Sequence, residues 1–530
     1  MVLREDDQRE ILISQIMELQ PLPTLDRAAC KTGYILIEEL IESFTNEDTR
    51  DSIAADDIRT LVLHLRSIGA PGAAESIASL VAHRFEQEGK NHNAALLLNQ
   101  AASSCSDQHL FNIAEEYFLR AHRLIEKDDH MFFEPSILSN YAILLVERMR
   151  FDEALELLQR ALGAIRSYDP SAYERKTGFP SNHVMGTVLN NLGWLFIRRA
   201  RVEAEDDRLL PRAVEYLDEA LQSDIHKRTE ILAKSNLIIV RILHGDHDSA
   251  QREIDTLVAE CRQHDLHRLL PEIYHRQAQI HAARQEVEPA IEWIREALRI
   301  SLVHINPRQE SRIIETFLGM LQSMVAQNVD PLSVLQGSGA PILQELLLLL
   351  RSKDTYTGGD HSRRVANLSK KIARAVAADD LKDESWVKYV TMAGLLHDVG
   401  KLMIPWSILN KLRSLTPREW SVIHSHTTYG EQILTQLNLP ELGKVVGEHH
   451  ERPDGTGYPR GIRKLSTAGA IVAVADAFEA MTSPSRLYSR RKKRRDALDE
   501  IKRGTGTQFH PEIVRALETV IRHSFSYPNA

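Results

Sequence analysis

Seven side chains between positions 361 and 476 have the chemistry of metal ligands: His361, His397, Asp398, His426, His449, His450 and Asp476. All are imidazoles or carboxylates, and none is a thiolate. Such a nitrogen and oxygen set suits iron, manganese, nickel, cobalt or zinc, and residue type alone hardly discriminates among them. The set exceeds what one ion takes. Two ions sharing a carboxylate would use it, and the neighbouring His397–Asp398 pair suits that arrangement, with Asp398 bridging while His397 binds one ion. Two divalent cations about 3.5–4 Å apart lower the pKa of a shared water and clamp the oxygens of a phosphodiester during in-line attack. Lys401 follows His397 by four residues, on the same face if the segment is helical, where its ammonium would neutralise a phosphate oxygen.

Each donor has an ordinary reading when taken alone. His361 in DHSRRV reads as a surface or capping histidine. The His449–His450 doublet is as readily chance, and either His424 or His426 could face solvent. Their joint occurrence carries the signal. The segment GLLHDVGKL (394–402) is apolar around its polar residues, which predicts that the His–Asp pair sits on a buried helix. Buried charge without a partner is costly, and a metal ion is one such partner.

The elements that must hold these groups are helices. Apolar residues recur at three and four through the first three-fifths of the chain, where Gly is sparse. Within that pattern small residues recur seven apart, at Ala154/Ala161, Ala213/Ala220 and Ala290/Ala297. Another small residue precedes each pair, at Ala142, Gly193 and Ala278. Ala82/Ala94/Ala101 and Ala102/Ala114/Ala121 share the spacing, and the segment around Ala250 fits it poorly. Small residues so placed let two antiparallel helices approach closely. The stretch NVDPLSVLQGSGAP (328–341) then concentrates Pro, Gly, Ser and Asp and reads as a linker, followed by a helix from about Ile342 to Ser352.

Two resemblances follow from these phrases. Helix pairs every ~34–40 residues, as in 137–165, 189–199 and 274–298, resemble a tetratricopeptide array. That likeness implies a solenoid whose concave face binds a protein or peptide. The phrases LLHDVGKLMIPWSILNK (395–411), IHSHTTYGEQIL (423–434), EHHERPDGTGYPRG (448–461) and IVAVADAFEAMTS (471–483) resemble the HD-GYP family, a subgroup of the HD-superfamily metal-dependent phosphohydrolases. The expected fold is all-α: a helical N-terminal segment (1–70), a tetratricopeptide-like array (71–325), a linker (326–341) and an HD-GYP domain (342–525). The resemblance implies a bacterial enzyme hydrolysing cyclic di-GMP to pGpG and GMP with two divalent ions, iron or manganese. It makes His361, His397, Asp398, His426, His449, His450 and Asp476 the ligands. Lys401 contacts the scissile phosphate beside the catalytic Asp398, and Gly457, Tyr458 and Pro459 form the GYP loop. Asp454 holds that loop or orients a ligand, and Arg486 is the candidate nucleotide contact.

The chain departs from the family pattern in places. DTYTGGDH (354–361) is one residue longer than usual, with Tyr356 near the position where some members gain a third metal ligand. Ala470 stands where many members have Arg, and TSPSRLY (482–488) lacks the usual Pro. The ligands are intact while the substrate-contact phrases have drifted. A non-catalytic cyclic-dinucleotide receptor, or a hydrolase for another nucleotide such as cyclic GMP-AMP, therefore stays open.

Composition sets outer bounds. Across 530 residues, Lys+Arg 65 against Asp+Glu 74 gives a net charge of −9, which disfavours general nucleic-acid or anionic-membrane binding. The basic run RRKKRR (490–495) reads as a solvated surface or as a local field attracting an anionic dinucleotide. Cys30, Cys105 and Cys261 lack CxxC spacing, which fits a reducing compartment. The N-terminus carries acids where a signal peptide would be apolar, and no apolar run approaches the ~20 residues of a membrane span. The expectation is a cytoplasmic protein, with a homodimer allowed.

Overall fold

Three-and-four apolar spacing becomes helix in both halves of the chain among the described residues. The computed structural model describes residues 5–22, 27–45, 54–126, 131–223, 225–304, 307–326, 340–355, 360–380, 383–411, 414–483 and 491–525. Arg486, Tyr356 and most of the predicted linker lie outside the described residues. Among the described residues the fold is all-helical, and the one β-type pairing is an isolated bridge between Thr505 and Phe509. Among the described residues no helix is long and apolar enough to cross a membrane. The chain divides into two compact units, Met1–Ile313 and Ile314–Ala530. That division falls N-terminal to the predicted linker.

The first unit opens with helices Glu5–Met17, Arg27–Thr45 and Ala55–Ser67. It continues as helical hairpins: Asn91–Asp107 with Phe111–Glu126, Glu134–Glu147 with Phe151–Ser167, Ser181–Ala200 with Leu209–Gln222, Lys227–Leu243 with His247–Gln263, and Leu270–Ala283 with Val287–His304. The first helices of successive hairpins pack side by side. The repeated alanines have their expected use: Ala142, Ala154, Ala161, Ala213, Ala220, Ala278, Ala290 and Ala297 are all fully buried. At Gly193 an added Cβ would sit 2.5 Å from Cγ of Leu217, so any larger residue there must displace that side chain.

The turns share one design. Residues with positive φ stand at Gly69, Gly89, His109, Met149, Gly245, Asp265 and Gln285, most of them about 20 residues apart. After each of these a backbone N–H reaches back to a carbonyl five residues earlier, at 2.8–2.9 Å (Ala70 to Leu65, Lys90 to Phe85, Leu110 to Cys105, Arg150 to Leu145, Asp246 to Arg241, Leu266 to Cys261, Glu286 to His281). This left-handed closure satisfies carbonyls that a helix end leaves bare.

The second unit is built around Thr467–Thr482. This helix packs on His361–Asp380, Glu384–Leu396, Pro440–Glu448, Arg494–Arg503 and Pro511–Phe525. Ala468, Ile471, Val472, Val474, Ala475 and Phe478 are buried, so the helix is surrounded and can carry a charged group only where that group is compensated. Asp476 and Glu479 are such groups.

Candidate metal centre

The seven predicted donors come together. His361 opens the helix His361–Asp380, and Asp476 lies midway along Thr467–Thr482. His397 caps the C-terminus of Glu384–Leu396, and His449 does the same for Pro440–Glu448. His426 begins His426–Gln436, directly after the helix Pro417–His424 ends. Donor atoms lie within 4.8 Å of one another in three overlapping groups: His361, His397 and Asp476; His426, His449 and His450; His397, Asp398 and His449.

Asp398 stands between the outer groups. Its Oδ2 is 3.2 Å from Nε2 of His397 and 3.6 Å from Nε2 of His361, while its Oδ1 is 3.6 Å from Nε2 of His426. One carboxylate thus offers an oxygen to each side. On one side Asp476 Oδ1 lies 3.2 Å from His361 Nε2 and 3.8 Å from His397 Nε2.

The backbone orients three of the rings. Nδ1 of His397 donates to the Gly394 carbonyl (2.9 Å), Nδ1 of His426 to Ile423 (2.6 Å) and Nδ1 of His449 to Val446 (2.5 Å). A carbonyl only accepts, so Nδ1 must carry the proton and Nε2 presents a lone pair to the centre. Each acceptor is a carbonyl three residues back, in a last helical turn where carbonyls lack helical partners. Buried Nε2 of His397 has no hydrogen-bond partner among the described residues. Nε2 of His426 and Nε2 of His449 face each other at 3.3 Å, two lone pairs without a proton between them. Orphaned buried acceptors converging this way fit a cation.

Electrostatics agree. Burial, then the neighbouring imidazoles, pushes the His450 ring down to about 3, and His449 falls well below its ordinary value for the same reasons. His426 is pushed down to about 4, chiefly by burial. These rings are neutral donors at neutral pH. Burial alone would raise the Asp398 and Asp476 carboxyls. Asp398 is instead held well below its usual range by His397 and Lys401, and Asp476 by His361 and His397.

The lysine and its surroundings depart from the expected helix. Glu384–Leu396 ends before the His–Asp pair, and Val399–Met403 is a 3-10 turn. The cause is a close backbone approach: a Cβ on Gly400 would lie 1.9 Å from the His426 carbonyl oxygen and 2.4 Å from the Gly430 nitrogen. The turn still brings Lys401 to the centre, with Nζ 2.8 Å from Asp398 Oδ2 and 3.1 Å from Asp354 Oδ2. Burial opposes its charge, yet Asp354 and Asp398 raise the ammonium pKa.

Some of the machinery was not legible in the residue types. Glu479, one turn beyond Asp476, receives Nδ1 of His361 and Nε of Arg364, and Arg364 also reaches Ser483 Oγ at 3.1 Å. The i, i+3 spacing from Asp476 was the available signal. Glu448 and Glu451 flank the His doublet and are almost fully buried. Glu448 accepts from Ser466 N (3.0 Å) and Oγ (2.6 Å), and Glu451 from Arg460 N (2.7 Å) and Ile462 N (3.0 Å). Together they fasten the loop between Glu451 and Ser466.

Within that loop a Cβ on Gly457 would sit 2.4 Å from Arg452 N and 2.5 Å from Glu451 Cα, so the chain folds onto itself there. Tyr458 stacks on His424 with ring centroids 3.7 Å apart and lies 4.8 Å from His450, and its bond to Pro459 is cis. Asp454 does not reach the donors. Its carboxylate accepts from Thr456 N (2.9 Å) and Oγ1 (2.7 Å), closing its own turn. Of the basic run, Lys492 pairs with Glu500 and Arg491 donates to the Thr482 carbonyl (3.0 Å). A cavity of about 330 Å³ opens beside His361 and Asp398, with Asp354, Arg351 and Arg363 in its wall.

Comparison with known proteins agrees with this geometry. Residues 349–513 match the profile of the HD domain. A cyclic di-GMP phosphodiesterase of Thermotoga maritima is 40% identical over 180 residues, 33% of this chain and 47% of that protein. A 3'3'-cGAMP-specific phosphodiesterase of Vibrio cholerae is 38% identical over 176 residues, 33% of this chain and 37% of its own length. The cyclic di-GMP phosphodiesterase response regulator RpfG of Xanthomonas campestris is 35% identical over 179 residues, 33% of this chain and 47% of that protein. The chain spans less than half the length of each. Through its C-terminal unit, this protein is similar to cyclic-dinucleotide phosphodiesterases, and residues 349–513 are an HD domain.

Proposed function

We propose that residues 342–525 form a phosphodiesterase that hydrolyses cyclic di-GMP to pGpG or GMP, with two divalent ions, iron or manganese. The observation that carries this reading is the Asp398 carboxylate, with one oxygen toward His361 and His397 and the other toward His426. His361, His397 and Asp476 would hold one ion, and His426, His449 and His450 the other. Bound there, the ions would supply an activated water and a clamp on the phosphoryl oxygens.

The chain's own groups do the rest. Lys401 starts between two carboxylates and can exchange Asp354 for a phosphoryl oxygen, balancing charge as it grows on phosphorus. Arg351 and Arg363, both exposed in the cavity wall, are suited to the second phosphate of a cyclic dinucleotide. Tyr458, stacked on His424, lies 4.8 Å from His450 beside the second group of donors. The helical hairpins over 71–325 form, in this reading, a tetratricopeptide-like array that takes a protein or peptide partner and regulates the enzyme.

A second reading, hydrolysis of cyclic GMP-AMP, is favoured by the 38% identity to the Vibrio enzyme specific for that nucleotide. The test is product analysis by chromatography. Purified protein loaded with Fe(II) or Mn(II) is given cyclic di-GMP, pGpG or cyclic GMP-AMP, beside an Asp398→Ala control. Turnover of cyclic di-GMP that is lost in the control supports the first reading. Turnover of cyclic GMP-AMP alone supports the second. Binding without turnover under either metal refutes both and makes the domain a receptor.

A further inference from the structure

A cavity of about 850 Å³ lies within the first unit, walled mainly by the first helices of the hairpins and by the start of Pro307–Ala326. Its charge is unbalanced. Five arginines face it: Arg66, Arg228, Arg268, Arg308 and Arg312. The carboxylates that also face it are engaged. Asp107 holds Arg66 through two bonds (3.0 and 2.7 Å), Glu272 pairs with the buried Arg276, and Asp265 pairs with His267 at 3.2 Å. Arg308 shares Asp107 (3.7 Å) and Glu147 (3.5 Å). Among the described residues, no carboxylate pairs with Arg228 or Arg268. Desolvation, then the charges of Arg268 and Arg66, depress the Arg228 guanidinium below its ordinary value. Like charges converging in a concavity create a field that draws an anion from outside.

Two further observations narrow the ligand. Asn140, Asn190, Asn191 and Asn236 form a row of amides in the wall. Asn236 donates to Asn190 Oδ1 at 2.9 Å, and Asn191 donates to Ser139 Oγ at 2.9 Å. Asn190 therefore keeps its own N–H donors and Asn191 its carbonyl, the pair of functions that a peptide group requires. Trp194 lines the same wall at 6% exposure, and its buried indole N–H has no acceptor among the described residues. Its ring is already covered by the Arg312 guanidinium, 4.3 Å from the centroid, so it offers no open face for a nucleobase. The volume exceeds what an inorganic anion fills and is within the range of organic ligand sites.

We propose that this cavity binds an acidic peptide segment of a partner protein, its carboxylates on Arg228 and Arg268 and its main chain on Asn190, Asn191 and Trp194. The proposal deepens the partner role suggested above and is independent of the catalytic reading, because its test involves no turnover.

The test uses the full chain and fluorescence anisotropy with three labelled octapeptides of matched glycine and serine spacing, carrying four aspartates, four asparagines or four lysines. The aspartate peptide should bind at least about tenfold tighter than the asparagine peptide, since a charge-assisted contact to a guanidinium outweighs a neutral one. The lysine peptide should not bind. The double variants Arg228→Glu/Arg268→Glu and Arg228→Gln/Arg268→Gln should each weaken aspartate-peptide binding at least about tenfold with unchanged thermal melts. Equal binding of the aspartate and asparagine peptides, or affinity unaltered in both folded variants, would overturn the proposal. Displacement of the peptide by an equimolar amount of inorganic pyrophosphate would also overturn it, marking a small-anion site.

Discussion

Three imidazoles of the centre take their orientation from carbonyl oxygens at helix ends, so their aim depends on where helices stop. Asp398 has no such support; its place is set by His397, Lys401 and the convergence of the donors. Asp398→Asn keeps the shape and removes the charge. It should lower phosphodiesterase turnover by at least about a thousandfold and reduce metal bound per chain, measured by elemental analysis. Lys401→Met tests a different function. Metal content should stay unchanged while kcat falls about a hundredfold, because the lysine stabilises developing charge. Arg351→Ala/Arg363→Ala should instead raise KM for cyclic di-GMP about tenfold with little change in kcat, as removal of binding shared by ground and transition states does. Glu479 acts through His361. Burial disfavours a proton on that ring, yet the Asp476 and Glu479 carboxylates raise it to about 9. Glu479→Gln should weaken metal affinity by about 10–100-fold, read by chelator competition.

The same glycine-to-alanine change separates two kinds of close packing at the level of elements. At Gly400 the added methyl meets backbone, the His426 carbonyl at 1.9 Å and the Gly430 nitrogen at 2.4 Å, and neither can move without shifting a ligand-bearing helix. Gly400→Ala should destabilise the second unit by about 3 kcal/mol or more and lower bound metal. At Gly193 the added methyl meets the Leu217 side chain, which has other rotamers, so Gly193→Ala should cost only about 1–3 kcal/mol and leave metal content intact. Thermal melts with metal analysis distinguish the two. These elements also mark what a sequence makes legible. The buried alanines and Gly193 were readable because helix–helix contact imposes a fixed period on small residues. The donors were readable because few residue types bind metals. The closing turns were not: His109, Met149, Asp265 and Gln285 adopt positive φ without being glycine, held there by the bond across each turn. The break before Asp398 was also hidden, because it arises from a contact with a segment more than twenty residues away.

For the molecule as a whole, stability depends also on acid-sensitive groups of the first unit, and His275 is the clearest. It is 2% exposed, and its Nδ1 faces the Gln309 amide (3.2 Å) and an Arg276 N–H (3.4 Å). A guanidinium can only donate, so Nδ1 must be bare and the ring neutral. Burial, then the charges of Arg201 and Arg312, push its pKa from 6.5 down to about 3. Above pH 6.5 the ring is neutral whether the chain is folded or not, and it adds no pH dependence. Between about 6.5 and 3 the unfolded chain takes up a proton that the folded one refuses, so stability falls as pH falls, by up to about 1.4 kcal/mol per unit. From pH 7 to pH 5 the cost is about 2 kcal/mol. His275→Gln removes this titration. Its melting midpoint should start lower at pH 7, through lost packing, but drop by a few degrees less than the wild-type midpoint on going to pH 5. Parallel declines in the two proteins would mean that His275 carries its proton in the fold, and the polar network of Arg276, Glu272 and Gln309 around it would then have to be arranged around an imidazolium.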